Sequence, residues 1–194
     1  GAPKAGIIVR DTHFPDIENY DMIYNGPHIY VANAYSKTPR TQCIVANRDY
    51  DTIDLSKMKK DFVPRSNYRR NISVQDIRTY IHGFLKNVND KDSYENYLDY
   101  YKVGFRKMMS QSGERTLICA VLPSKTAHIN GVISIAFRNR YDTVDMAALC
   151  SSIVMDFYMK TIGSDNLMPS RMQSFPLGVA PKYQSAIYSR TLLL

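Results

Sequence analysis

Two short strings in this chain place cationic, amide and hydroxyl side chains where they can meet a polyanion. Lys37, Thr38 and Arg40 lie on a polar loop stiffened by Pro39, and residues 55–70 carry Lys57, Lys59, Lys60, Arg65, Asn67, Tyr68, Arg69 and Arg70. Lysine and arginine neutralise phosphates, a term that supplies most sequence-independent affinity for nucleic acid. Arginine also pairs with guanine O6 and N7, and asparagine with adenine N6 and N7, in the major groove. On this chemistry Lys57, Lys59, Lys60, Arg69 and Arg70 are expected to touch phosphates. Arg40, Arg65 and Asn67 are expected at base edges or close to the nucleic-acid backbone. The structural alternatives are a solvated basic loop and a turn closed by Arg65 and Asn67 beside Pro64, with Tyr68 packed beneath.

The charge is local rather than general. The chain of 194 residues has 25 Lys+Arg against 18 Asp+Glu, a formal charge of +7. Residues 55–70 hold six basic and one acidic side chain, and residues 105–194 hold ten and five, while residues 1–54 and 71–104 are mildly acidic. An apolar fraction of 44% with nine Pro and nine Gly is that of an ordinary globular chain, long enough to bury most of its apolar surface. No apolar run approaches the roughly 20 residues of a membrane helix, and no charged-then-apolar leader opens the chain. Cys43, Cys119 and Cys150 are odd in number and far apart. They read as reduced thiols of a cytoplasmic protein.

Catalytic signatures do not emerge. The glycine patterns of dinucleotide, phosphate-loop and nucleophile-elbow sites are absent. His13, His28, His82 and His128 lack paired metal-ligand spacing, and His82 reads as a packed helix residue. Asp49, Asp51 and Asp54 read as solvated turn acids. No catalytic, cofactor-binding or metal-ligating residue is therefore expected in this chain.

The elements that must position the basic strings read as α+β. Residues 6–9, 28–33 and 42–46 are short strand candidates, and 115–122 and 131–137 are two core strands joined by residues 123–130. Ser73 and Asp76 form a capping box. Ile77, Tyr80, Ile81, Phe84, Leu85 and Val88 then repeat at helical spacing. Residues 93–103 suggest a second, Tyr-rich helix, so 71–104 reads as a helical insertion or bridge. A long buried helix is expected over 143–160 with Gly163 as its stop, and Tyr80 and Tyr158 are expected in the core. The whole is expected to be one domain, 1–194, with a mixed or antiparallel sheet. The ends, Gly-Ala-Pro without Met and an apolar Leu192-Leu193-Leu194, suggest a piece of a longer protein.

Several ordered strings together resemble one family. They are Tyr35-Ser-Lys-Thr-Pro-Arg40, Tyr50-Asp-Thr-Ile-Asp-Leu55, Phe62-Val-Pro-Arg-Ser-Asn-Tyr68, Phe105-Arg106, Glu114-Arg-Thr-Leu117, Ala127-His-Ile-Asn130, the 143–160 helix, and Asn166 with Phe175-Pro176-Leu177. In this order they are similar to the C-terminal target-recognition region of large adenine-specific DNA methyltransferases of restriction-modification and phage-defence systems. That group includes Type IIG enzymes, and the region is akin to TaqI-like and Type I specificity domains. The resemblance covers about residues 28–70 and 105–177.

It implies a division of labour. An upstream domain would carry the methyl-donor loop, the S-adenosylmethionine and an Asn/Asp-Pro-Pro-Tyr/Phe motif; this chain has no Pro-Pro dipeptide. This piece would hold double-stranded DNA and read its sequence while the partner domain flips out an adenine. The parent enzyme would methylate DNA, with endonuclease activity in some systems. Arg106, Arg115, His128, Asn130 and Asn166 then join the DNA-contact candidates. Against this, Arg106 and Arg115 can pair internally with Glu114 or an aspartate, and His128, Asn130 and Asn166 can serve turns. The alternatives to DNA reading are a structural domain docking the methyltransferase domain or other defence subunits, and an RNA-binding module.

Overall fold

The computed structural model describes residues 4–44, 48–81, 85–86 and 94–193. Among these, the chain runs β1 (Ile8–His13), β2 (Ile23–Tyr24), β3 (Lys37–Pro39), β4 (Tyr50–Thr52), β5 (Ser66–Arg70), α1 (Val74–Ile81), β6 (Leu85–Lys86) and β7 (Tyr94–Glu95). It continues with β8 (Lys102–Arg106), β9 (Cys119–Leu122), β10 (Ala127–His128), β11 (Val132–Ala136), α2 (Arg140–Ser151), α3 (Ile153–Ile162), α4 (Pro169–Met172) and α5 (Pro181–Leu193). The architecture is the α+β class, but the strands divide among small sheets. β8 lies at the centre of the order β11-β8-β9, and the pairs are β1-β5, β10-β2, β3-β4 and β6-β7. Only β10-β2 is parallel.

The three-stranded sheet is covered on both faces, and the period-two alternation of a strand decides which side chain goes where. Cys119 and Val121 join Val103, Phe105, Met146, Ala147 and Met159 in a core beneath α2 and α3. Ile118, Ala120 and Leu122 point the other way, into a core with Met22, Tyr24 and Ile29 from the N-terminal segment. Gly104 permits this packing: a Cβ there would lie 2.4 Å from Cδ1 of the fully buried Leu122. The two expected core strands thus belong to one sheet, but β8 stands between them, and regular pairing on the first begins at Cys119 rather than residue 115.

Three expectations about helices need correction. Among the described residues of 71–104 the expected helical bridge supplies one two-turn helix, α1, and its cap keeps one half of the expected box: Ser73 Oγ accepts from the Asp76 amide at 3.0 Å, while the Asp76 carboxylate accepts from the Ser73 hydroxyl at 2.7 Å. Leu85 is in strand, Tyr97–Asp99 is a single 3-10 turn capped by Asn96, and Lys102–Val103 opens β8. The tertiary contacts of β8 override a weak helical pattern. Phe84, Val88 and His82 lie outside the described residues, as do residues 45 and 46 of the expected strand at 42–46.

The expected helix at 143–160 is two. Ser152 adopts ψ 150° and serves both halves: its Oγ donates to the Leu149 carbonyl at 2.6 Å and accepts from the Met155 amide at 3.2 Å. A hydroxyl that competes for backbone groups breaks the helix where it stands. The break turns α3 so that Ile153, Val154 and Phe157 are exposed, Val154 at 80%, and Tyr158 is exposed too. Tyr80 is likewise exposed, so neither tyrosine is core. Gly163 ends α3 with φ 70°, the left-handed stop expected of it. Residues 28–33 form no strand; a 3-10 turn at Gly26–His28, boxed by Asn25 and His28, takes their place.

Candidate nucleic-acid interface

The basic segment is a loop anchored at both ends to one strand. β3 pairs with β4, and at the exit of β4 the Ile53 amide donates to the Ser36 carbonyl at 3.0 Å. Twelve residues later the chain returns: the Arg65 amide donates to Thr38 Oγ1 at 3.0 Å, and Arg65 Nε donates to the Pro39 carbonyl at 3.2 Å. His28, buried beneath, donates from Nε2 to the Arg65 carbonyl at 2.9 Å and accepts the Asn25 amide at Nδ1. Those two bonds define a neutral ring, and burial pushes its pKa down. A surface loop whose ends meet in this way can hold a shape while its middle stays solvated.

Inside the loop, Asp54 caps a 3-10 turn at Leu55–Lys57 by accepting from the Ser56 amide at 3.1 Å. Hydrogen bonds from Ser56 and then Lys57 hold its carboxyl below the usual carboxylate range. Lys57, Lys59 and Lys60 are all exposed. Lys57 stands 3.1 Å from Asp54, a solvated pair of little energetic weight. Lys59 and Lys60, and Lys37 on β3, have no side-chain partner among the described residues. Arg40 follows β3 and makes an exposed pair with Asp51 at 2.9 Å.

The remaining sequence candidates divide by what already engages them. Arg69 is exposed and lies 3.1 Å from Asp11. Arg65 is committed to Pro39 and stacks its guanidinium 5.0 Å from the Phe14 ring centre. Asn67 is 1% exposed, with Oδ1 accepting from Thr12 at 3.0 Å, so its amide does not face solvent. Arg70 bonds the Asn19 and Ile72 carbonyls. Arg106 donates to the Gly26 carbonyl at 2.9 Å and lies over Tyr30; burial lowers its pKa. Arg115 donates to the Ser151 carbonyl at the end of α2 and faces Asp156, not Glu114. Asn166 forms an isolated bridge with Met108 and is exposed.

Tyr68, His128 and Asn130 meet at a second feature that the sequence does not announce. They line a cleft of about 980 Å³ together with Tyr80 of α1, Tyr97 and the segment 127–134. No described lining residue is a carboxylate, lysine or arginine. Its floor is held by a chain of hydrogen bonds. His128 Nδ1–H donates to the Ile129 carbonyl at 3.1 Å, so Nε2 accepts from Ser134 Oγ at 2.6 Å, and Ser134 in turn accepts from the Tyr97 hydroxyl. Burial lowers the His128 pKa, which keeps this neutral tautomer. The lining residues come from β1, β5, α1, the turn before β8 and the β10–β11 segment, so no sequence pattern joins them.

Among the described residues no group of three His, Cys, Asp or Glu side chains could hold a metal ion. No described helix is long and apolar enough to cross a membrane. Cys43, Cys119 and Cys150 are free and buried, and burial pushes the Cys119 thiol up to about 11. Comparison with family models, curated proteins and solved structures gave no match.

Proposed function

We propose that this chain is a duplex-DNA recognition module serving an adenine-specific DNA methyltransferase, with methyl transfer and S-adenosylmethionine belonging to a separate catalytic domain. The observation that carries the reading is the lysine loop. Lys57, Lys59 and Lys60 project into solvent from a segment fastened at both ends to β3, the strand that bears Lys37 and leads to Arg40. A preorganised row of solvated cations meets phosphates at low ordering cost. Arg40, whose ion pair with Asp51 is solvent-exposed, is the side chain best placed to reach a base edge. Thr38 and Arg65 hold the loop closed, while Asn67 and Arg70 are engaged elsewhere in the fold.

The test is binding of the 194-residue chain to a 30-base-pair duplex over a salt series. Affinity should fall steeply with salt, and Lys57→Glu/Lys59→Glu/Lys60→Glu should weaken binding uniformly across sequences and flatten the slope by about one per lost phosphate contact. An unchanged slope in the triple variant sinks the loop as the interface. A second reading, a docking domain for a catalytic partner, draws on the apolar face of α3. It predicts tight association with that partner and no salt-dependent duplex affinity.

A further inference from the structure

The cleft between β5, α1 and β11 is a recess separate from the lysine loop, none of whose lysines lines it. Its size lies within the range of small-ligand sites, and its walls combine aromatic rings with few polar groups. Three tyrosines, Tyr68, Tyr80 and Tyr97, come from three separate elements to line it. The Tyr97–Ser134–His128 chain satisfies the polar groups of the floor and ties that turn to β10 and β11, so the recess is preformed. The hydroxyls of Tyr68 and Tyr80 make no hydrogen bond to described residues. Asn130 accepts from Lys107 Nζ at 2.9 Å through Oδ1, which leaves its amide NH2 as a donor at the rim and sets a cation beside it. The site therefore offers ring faces, neutral donors and acceptors, no charge among its described lining residues, and one lysine at its mouth.

We propose that this cleft binds an unstacked nucleobase of a single DNA strand, with Tyr80 and Tyr68 against the base, Asn130 donating to its edge, and Lys107 beside the adjoining phosphate. A planar, neutral heteroaromatic ring with a hydrogen-bonding edge matches the lining, and the phosphate of its own backbone matches the rim. Stacking on aromatic side chains is tolerant of base identity, so the cleft holds a base without reading it. The proposal deepens the DNA-recognition reading and rests on it, but it uses a different surface from the lysine loop, so the two can fail separately.

The test compares a labelled pentadeoxythymidine with an abasic pentamer of the same backbone, titrated by fluorescence anisotropy onto the full 194-residue chain. The thymidine strand should bind about fivefold to a hundredfold more tightly, the range expected of base–aromatic stacking. Tyr80→Ala and Asn130→Ala, both exposed positions, should reduce that preference, with Tyr80→Ala taking the larger share, and Tyr80→Ala should leave duplex binding unchanged. The Lys57/Lys59/Lys60 triple variant should do the reverse. Equal binding of the abasic strand, or a preference untouched by Tyr80→Ala, overturns the cleft assignment whatever the duplex result. Loss of base preference in Tyr80→Ala with loss of all binding to duplex by the wild-type chain would leave the cleft assigned and overturn the duplex reading.

Discussion

The backbone amide of Arg65 donates to the hydroxyl of Thr38 at 3.0 Å across 27 residues, and this bond closes the basic loop onto β3. Thr38→Val keeps the β-branched shape that β3 favours and removes only the acceptor. A lost bond of this kind costs about 1 kcal/mol. Urea denaturation should show that loss, and duplex affinity should fall with it because the lysines are no longer held. A variant with wild-type stability would show that the Arg65 side-chain bond to Pro39 suffices to close the loop.

A buried carboxylate plays the corresponding part on the helical side. Asp156 Oδ1 accepts the amides of Thr116 and Leu117 at 2.8 and 2.7 Å and lies 3.3 Å from Arg115 Nε, joining α3 to the segment before β9. Asp156→Ala leaves two buried amides and a guanidinium without their partner, and removing one member of such a set costs about 3–5 kcal/mol. The midpoint of chemical denaturation should drop accordingly. A loss below 1 kcal/mol would mean that water replaces the carboxylate.

Gly104 and Leu122 should be coupled. Gly104→Ala drives a methyl into the Leu122 side chain and is expected to cost about 1–3 kcal/mol, the usual penalty of overpacking. Leu122→Ala opens a cavity and costs about 2–5 kcal/mol alone. The double variant should be more stable than the sum of the two single losses allows, because the new methyl enters the space the leucine left. Strict additivity in a double-mutant cycle would place the strain of Gly104→Ala elsewhere.

Mild acid should weaken the fold through two buried histidines. His28 and His128 both have pKa values lowered from 6.5 by burial, so the native rings are neutral where the unfolded ones take up protons. Their contribution is complete above pH 6.5 and is lost as pH falls from 6.5 toward the depressed native values, at up to about 1.4 kcal/mol per pH unit for each ring. Unfolding free energies measured at pH 7.5, 6.5 and 5.5 should decline in that order, and His128→Gln should reduce the decline. Stability that rises on acidification over this interval would contradict the assigned tautomers.

Much of the local grammar was legible in the chain itself. The Ser73 cap on the Asp76 amide, the Gly163 stop and the strand over 132–136 follow from short-range stereochemistry and period, which nearby residues alone determine. The basic excess of 55–70 is a matter of composition, and its exposed lysines were legible for the same reason. What tertiary structure alone decided is which donors remain available. Arg65, Asn67, Arg70, Arg106 and Arg115 are the same residue types as the solvated candidates, yet each meets a carbonyl, hydroxyl or carboxylate contributed by a distant or irregular part of the chain. The helix break at Ser152 uses only Leu149 and Met155, three residues to either side, whereas the central place of β8 depends on partners that sequence spacing does not reveal. So does the cleft, whose tyrosines come from separate elements that only the packed fold brings to one wall.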